Sequence, residues 1–269
     1  MSERFAPGGP VRALAYRFLW GCSNALIKVA NACLYVAAGL LRQRDLDAAS
    51  RIRWRESVPE VDDVDYGLDV WEQRAYGELL KRSDRILLVG CGSGRDLIPL
   101  VELGYNVTGL DPVPELVDLA RANLAKRGLS ATVHAGFVET WDISDAYDVV
   151  LFSGACYSYV RPSSVRVSTL RRIRTRLPEG GRIIINYMGL VRQSRFSTRL
   201  TRLSAQVSGA DWRPEPGDCF SRDHRVQPIL RCEHLFGPGE VARECQLAGL
   251  RLTRNEVRSG PFYCAVAIP

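Results

Sequence analysis

The chain has 269 residues, 46% hydrophobic and 25% charged, a balance that excludes wholesale disorder and suits one enlarged domain with a substantial core. Its net charge of +6 is carried almost wholly by arginine, since Lys28, Lys81 and Lys126 are the only lysines; this admits an anionic partner or membrane surface without requiring one. The eight cysteines are widely spread, with no CxxC pair and no Cys/His cluster at zinc spacing, so no metal site is expected and the thiols read as small buried hydrophobes in a reducing, cytoplasmic setting.

Residues 18–41 are apolar apart from Ser23, Asn24, Lys28 and Asn31, and have the length of a membrane span. The polar positions Arg17, Asn24, Lys28, Asn31 and Arg42, with Gly21 and Tyr35, fall on one narrow stripe of a helix. Such a helix packs on protein, lids an apolar site, or lies in a membrane surface. Arg17 and Lys28, with no convincing cleavage site after them, weigh against a signal peptide or a span. Residues 1–66 are therefore expected to form an amphipathic helical segment and linker, with membrane-surface contact through the 11–42 helix, ahead of a domain over 67–269. "RDLDAASRIRWRES" reads as a charged helix or linker, and in "YGLDVWEQRAYGELLKRSD" Leu68, Trp71, Ala75 and Leu79 repeat at helical spacing. These helices precede the sheet and must pack on it from outside, where a substrate cover sits.

From Arg85 onward short apolar runs alternate with helical segments. Strands are predicted at "RILLVG", "NVTGL", "ATVHA", "DVVLF" and "RIIINY", with helices near 95–103, 113–127 and 163–177. Apolar strands alternating with helices predict a parallel sheet covered on both faces. Right-handed crossovers then line up the loops that follow the strands along one edge, where ligands bind.

The first strand runs into Gly90, Gly92 and Gly94, spaced GxGxG. A dinucleotide site would place its third glycine where Arg95 stands, and a tight turn with no ligand is the plain alternative. "NVTGLDPVPELVDLA" ends its strand at Asp111, about twenty residues after the loop, where a carboxylate can accept hydrogen bonds from both ribose hydroxyls of a nucleotide.

On "LLVGCGSGRD", "GLDPVPELVDLA", "YDVVLFSGACYSYV" and "RLPEGGRIIINY", the stretch from about Arg85 to Tyr187 resembles the class I S-adenosylmethionine-dependent methyltransferases. The tail "LRLTRNEVRSGPFYCAVAIP" extends the resemblance, since two closing antiparallel strands also belong to that fold. The resemblance implies a Rossmann-like doubly wound sheet of seven strands, mostly parallel with one antiparallel strand, and S-adenosyl-L-methionine as cofactor. It also implies that Gly90, Cys91, Gly92 and Gly94 approach the methionyl part of the cofactor, Asp111 the ribose, and Pro112 and Val113 the adenine. The acid that often follows the third strand is replaced by Phe137, so Phe137 and Val138 are expected to meet the adenine through an apolar edge and a backbone amide. The usual Pro-Gly-Gly before the fifth strand is here Pro178-Glu179-Gly180-Gly181, one residue longer.

Methyl transfer from a sulfonium needs a positioned nucleophile, and a general base is optional. The loop "SGACYSYVRP" brings Ser153, Tyr157 and Tyr159 near the expected donor methyl: Ser153 as a cofactor contact, Tyr157 as a catalytic candidate and Tyr159 as a substrate contact, with plain packing as the alternative for the tyrosines. The insertion at about 189–236 is too long for a simple connection and is expected to cover the substrate. It carries His234, a candidate base before a helix that opens near Pro238, and His224, a substrate candidate in the polar setting "SRDHR". The arginines of "SYVRPSSVRVSTLRRIRTRLPEGGR" read as one solvated helix face, whereas those of "RQSRFSTRLTR" can grip an acidic substrate or lipid headgroup.

The expected activity is methyl transfer to a small, lipophilic acceptor by a cytoplasmic enzyme, membrane-associated if the first helix lies on a bilayer. No nucleic-acid module is evident. The alternatives are a nucleotide-cofactor-binding scaffold without catalysis, and an NAD-dependent oxidoreductase, the latter disfavoured by Arg95.

Overall fold

The strand RILLV at Arg85–Val89 is buried from its second residue onward, and VVLF at Val149–Phe152 is buried throughout. Strands apolar on both faces require cover on both, and the intervening segments supply it as helices. The computed structural model describes residues 9–56, 64–143, 147–190, 195–222 and 228–269. In chain order it contains α1 (Pro10–Gly39), α2 (Gln43–Glu56), α3 (Val70–Leu79), β1 (Arg85–Val89), α4 (Leu97–Glu102), β2 (Asn106–Asp111), α5 (Pro114–Lys126), β3 (Thr132–Ala135) and β4 (Val149–Phe152). A single 3-10 turn follows at Cys156–Tyr159, then α6 (Ser163–Arg174), β5 (Arg182–Met188), α7 (Arg195–Ser208), β6 (Asp218–Arg222), β7 (Leu230–His234), α8 (Glu240–Leu247), β8 (Arg251–Ser259) and β9 (Phe262–Ile268).

The main sheet has the order β3-β2-β1-β4-β5-β9-β8. β1 to β5 are mutually parallel, and β9 runs antiparallel to both β5 and β8. This is the Rossmann-like seven-stranded sheet with one reversed strand that the resemblance implied. One face packs Leu87, Phe152, Ile183 and Ile185 against α6 and α8 through Leu170, Ile173, Val241 and Cys245; the other packs Ile86, Leu88, Val149 and Leu151 against α3, α4 and α5 through Ala75, Leu97, Val117 and Ala120. Each fully buried side chain of this size stabilises the fold by roughly 1.5–3 kcal/mol. The order reverses between β1 and β4, so the crevice of the parallel sheet opens beyond the carboxyl ends of these two strands.

The insertion contains α7 and the β6–β7 hairpin, and it carries the N-terminal segment. α2 packs on β7, while α1 runs along α7 with Gly39 wedged so closely that a Cβ there would lie 2.6 Å from the Thr201 carbonyl oxygen. Trp212 donates its indole N–H to the Leu41 carbonyl (2.7 Å), and Tyr35 meets Phe220 edge to face at 5.4 Å. The N-terminal segment thus docks on the insertion rather than on the sheet itself. Only the C-terminal end of α1 is held in this way; Leu14, Phe18, Leu19, Trp20, Leu26 and Ile27 are exposed. The four cysteines Cys91, Cys232, Cys245 and Cys264 are buried as expected, but Cys22 and Cys33 on α1 are exposed.

Candidate active site

β1 ends at Val89, and the chain turns with Gly90 at φ +77° and Gly92 at φ +53°, the left-handed region that favours glycine. A Cβ on Gly90 would lie 2.6 Å from Cβ of Cys156, so no side chain fits. Gly92 is the reverse case: nothing lies within 4 Å of where its Cβ would stand. The Gly92 N–H donates to Asp111 Oδ2 (2.9 Å) and the Val113 N–H to Asp111 Oδ1 (3.0 Å), which fixes the carboxylate at the loop. Burial pushes the Asp111 carboxyl up to about 6, with the two N–H groups opposing the rise.

These residues border a cavity of about 1130 Å³ beyond the β1 and β4 ends, above the usual range for a single small-molecule site, roughly 300–1,000 Å³. Its wall contains Gly90, Cys91, Gly92, Asp111, Pro112, Val113, Phe137, Val138, Ser153 and Tyr159. Gly94, placed with the cofactor set by its spacing, does not reach the cavity; it packs against Ile98 at the start of α4.

Beside the glycine loop, Arg95 holds Glu72 through two hydrogen bonds (2.9 and 2.7 Å) and lies 2.6 Å from Asp96 Oδ1. Burial opposes its charge, but Asp96 and Glu72 outweigh that and hold Arg95 above its ordinary range. Ser153 donates to Asp96 Oδ2 (2.6 Å), so its hydroxyl is part of this cluster. Glu139, two residues beyond Phe137, also lines the cavity, and burial raises its carboxyl. The roof is α2, which contributes Gln43, Asp47, Ser50, Arg51 and Trp54; the Arg51 guanidinium lies 5.8 Å from the centre of the Phe137 ring.

The residues named for catalysis are placed elsewhere. Tyr157 is fully buried between Phe152 and Phe236 and donates to Glu244 Oε2 (2.8 Å). His234 is 0% exposed, its Nδ1 2.9 Å from Asp218 Oδ1 and its Nε2 2.9 Å from Glu240 Oε1. Burial disfavours its charge, but hydrogen bonds to Asp218 and Glu240 outweigh this and raise its pKa, and both ring nitrogens are engaged by carboxylate oxygens. Neither side chain lines the cavity, which corrects both catalytic assignments. Glu215, Asp218 and His234 bring possible ligand atoms within 4.8 Å of one another, but the Arg166 guanidinium pairs with Glu215 (3.1 Å) and Glu244 (2.8 Å) in the same cluster. The group is an ion-pair network tying the insertion to α6 and α8.

Tyr159 does line the cavity, with its hydroxyl donating to Glu233 Oε2 (3.2 Å) and its ring edge to face with Trp54 at 5.5 Å. His224 lies outside the described residues. The solvated-face reading holds for Arg171, Arg174 and Arg176, but Arg166 is buried and Arg161 lines the cavity. Arg199 and Arg202 of α7 are exposed outside the cavity, away from the substrate mouth expected for them.

Comparison with known proteins agrees with this geometry. Residues 86–181 match the model of a methyltransferase domain family. A protein-L-isoaspartate O-methyltransferase from Rhodopseudomonas palustris is 30% identical over 171 residues, which is 62% of this chain and 70% of that protein. A ubiquinone biosynthesis O-methyltransferase from Methylocella silvestris is 36% identical over 103 residues, 33% of this chain; the match spans 40% of that relative's length. Among solved structures, an S-adenosylmethionine-dependent methyltransferase from Methanosarcina mazei superposes with a TM-score of 0.59 at 20% identity, covering 75% of this chain and 97% of that one, a likeness of fold.

Proposed function

Because the chain belongs to the class I S-adenosylmethionine-dependent methyltransferases, we propose that it transfers a methyl group from this cofactor to a small lipophilic acceptor held under α2. The observation that carries the reading is Asp111, fixed by Gly92 and Val113 at the wall of a cavity large enough for two molecules.

The residues fit the cofactor. Gly92 leaves open the space that a Cβ would fill. Asp111 uses one oxygen for each backbone N–H and keeps further lone pairs for ribose hydroxyls. Pro112, Val113, Phe137 and Val138 give an apolar slot for the adenine, with Glu139 at its edge. Glu72, Arg95 and Asp96 offer charges of both signs to a zwitterionic methionyl end.

When bound, the cofactor would supply an electrophilic methyl on a positively charged sulfur, with a neutral thioether as the leaving group for an acceptor lone pair. The chain's own part is to align and to exclude water. Ser153, Gly154, Ala155 and Cys156 form the floor after β4, Trp54 and Tyr159 form an apolar wall, and α2 closes the top. Burial raises the Tyr159 phenol, with Glu233 adding to the effect, so at neutral pH it acts as a hydrogen-bonding wall group rather than a base. Alignment with desolvation is sufficient catalysis for such a transfer.

The lipophilic acceptor follows from the exterior. α1 is about 45 Å long by its 30 residues and exposes Phe18, Leu19, Trp20, Leu26 and Ile27, while the neighbouring α7 exposes Phe196, Leu203 and Val207 beside Arg199 and Arg202. No single helix among the described residues is long and apolar enough to cross a membrane. An amphipathic pair with flanking arginines lies instead on an anionic bilayer, from which the enzyme draws its acceptor. Two measurements test the proposal: calorimetric titration with S-adenosylhomocysteine, for which binding is expected and its absence refutes the transfer reading, and flotation with phosphatidylglycerol vesicles, where failure to co-float refutes the membrane reading alone.

A further inference from the structure

Arg161 is the middle residue of the three that link the 3-10 turn to α6, and it lines the cavity. Its Nε is buried and has no hydrogen-bond partner, and one of its terminal nitrogens rests against the Cys232 thiol. Burial pushes that thiol up to about 12, so it stays neutral and offers Arg161 no counter-charge. Among the described residues no carboxylate lies within ion-pair distance of Arg161. Three other arginines at or beside the site are paired with carboxylates, Arg95 with Glu72 and Asp96, Arg166 with Glu215 and Glu244, and Arg231 with Glu233 (2.6 Å), while the exposed Arg51 lies over the Phe137 ring. A guanidinium with its Nε buried and no carboxylate partner is unfavourable, and this one borders a cavity.

The same cavity is lined by Val160 and Val165 and by the edge-to-face pair of Trp54 and Tyr159. A planar apolar body matches that pair. Resting on the methyl-transfer reading, we propose that the acceptor is an aromatic acid whose carboxylate pairs with Arg161 and whose ring packs on Trp54 and Tyr159. A monoanion balances the single uncompensated charge of Arg161. The planar fork of arginine also receives a carboxylate through two parallel hydrogen bonds, which lysine does not reproduce.

The test uses the full chain saturated with S-adenosylhomocysteine and a panel of probes: 1-naphthoate, 2-naphthoate and biphenyl-4-carboxylate, each against its primary alcohol, and 1-naphthyl phosphate. At least one carboxylate is expected to bind ten times or more tightly than its alcohol. Arg161→Met should remove that preference, Arg161→Lys should restore it in part, and S-adenosylhomocysteine affinity should stay within twofold in both variants, which also shows that they fold. The proposal is overturned if no carboxylate exceeds its alcohol, if the phosphate binds more tightly than the carboxylates, or if Arg161→Met leaves the preference intact. Failure of S-adenosylhomocysteine to bind the unmodified chain overturns the methyl-transfer reading, and with it this assignment.

Discussion

The Asp111 carboxyl provides the sharpest quantitative check on the cofactor site. Burial raises it to about 6 in the unliganded protein, and ribose hydroxyls donate more strongly to the ionised carboxylate than to the protonated acid. If binding requires the anion, the apparent Kd for S-adenosylhomocysteine scales as one plus the ratio of protonated to ionised enzyme. That ratio makes Kd about 1.1 times its limiting value at pH 7, about twofold weaker at pH 6 and about elevenfold weaker at pH 5, or roughly 1.4 kcal/mol at the acid end. The sign is fixed by the direction of the shift: a carboxyl held above its ordinary value is already protonated in mildly acid solution, so affinity falls as pH falls. Isothermal titration calorimetry from pH 5 to 7.5 at constant ionic strength measures the curve. Asp111→Asn should bind more weakly throughout and show a flat profile, whereas Glu139→Gln, a second raised carboxyl in the same wall, should retain the slope. A flat profile for the unmodified protein, or an unchanged slope in Asp111→Asn, refutes the assignment of this carboxylate to the ribose.

Further outcomes concern stability and the loop. Gly92→Ala should fold with a strain cost of about 1 kcal/mol yet lose more than tenfold in S-adenosylhomocysteine affinity, because its Cβ enters the cavity; Gly90→Ala, whose Cβ meets Cys156 at 2.6 Å, should depress the thermal midpoint more strongly. His234→Gln should destabilise the protein by about 3–5 kcal/mol, the scale for breaking a buried charged pair, while kcat per folded molecule is retained; a folded, inactive variant would restore the base role. The imidazolium of His234 has a raised pKa, so its stabilisation is fully present below about pH 6.5 and is lost as pH rises through the higher folded value. Chemical denaturation across that window should show this loss in the unmodified protein and not in His234→Gln. Gly39→Leu should prise α1 from α7, seen as faster proteolysis within residues 10–39, with the sheet core still resistant.

The parallel sheet was legible because its determinants are local. Apolar runs such as RILLV and VVLF, the glycine turn and the acid closing β2 lie in neighbouring segments, and their chemistry leaves little choice. His234 was misread for the opposite reason. Its role depends on Asp218 standing directly across the β6–β7 ladder, and such registers are invisible until the hairpin is paired. Arg166 did carry a signal: Arg166, Leu170 and Ile173 follow helical spacing, so the residue falls on the buried face of α6. The weight given to arginine as a surface residue obscured it. The charged α2 read as a helix or a linker without a choice between them, because the cavity it covers is assembled by β1, β4 and the insertion, far along the chain. Leu46, Ser50 and Trp54 at four-residue intervals were the available trace of its inner face.

The way the roof is attached affects how molecules enter and leave. The sheet is flanked by two extensive apolar clusters, but α1 and α2 meet the insertion through a small one, built on Ala38, Leu46, Trp212, Phe220 and Cys232. Much of the remaining join is polar: Ser204 and Ser208 donate to the Val36 and Gly39 carbonyls, and the Gln43 N–H donates to Asp211. A seam with so little buried apolar surface opens at a lower free energy than the whole protein unfolds. Amide protons of α2 and of residues 36–41 should therefore exchange with deuterium well before those of β1 and β4. The same partial opening provides a passage through which spent cofactor can be replaced without unfolding the sheet that binds it.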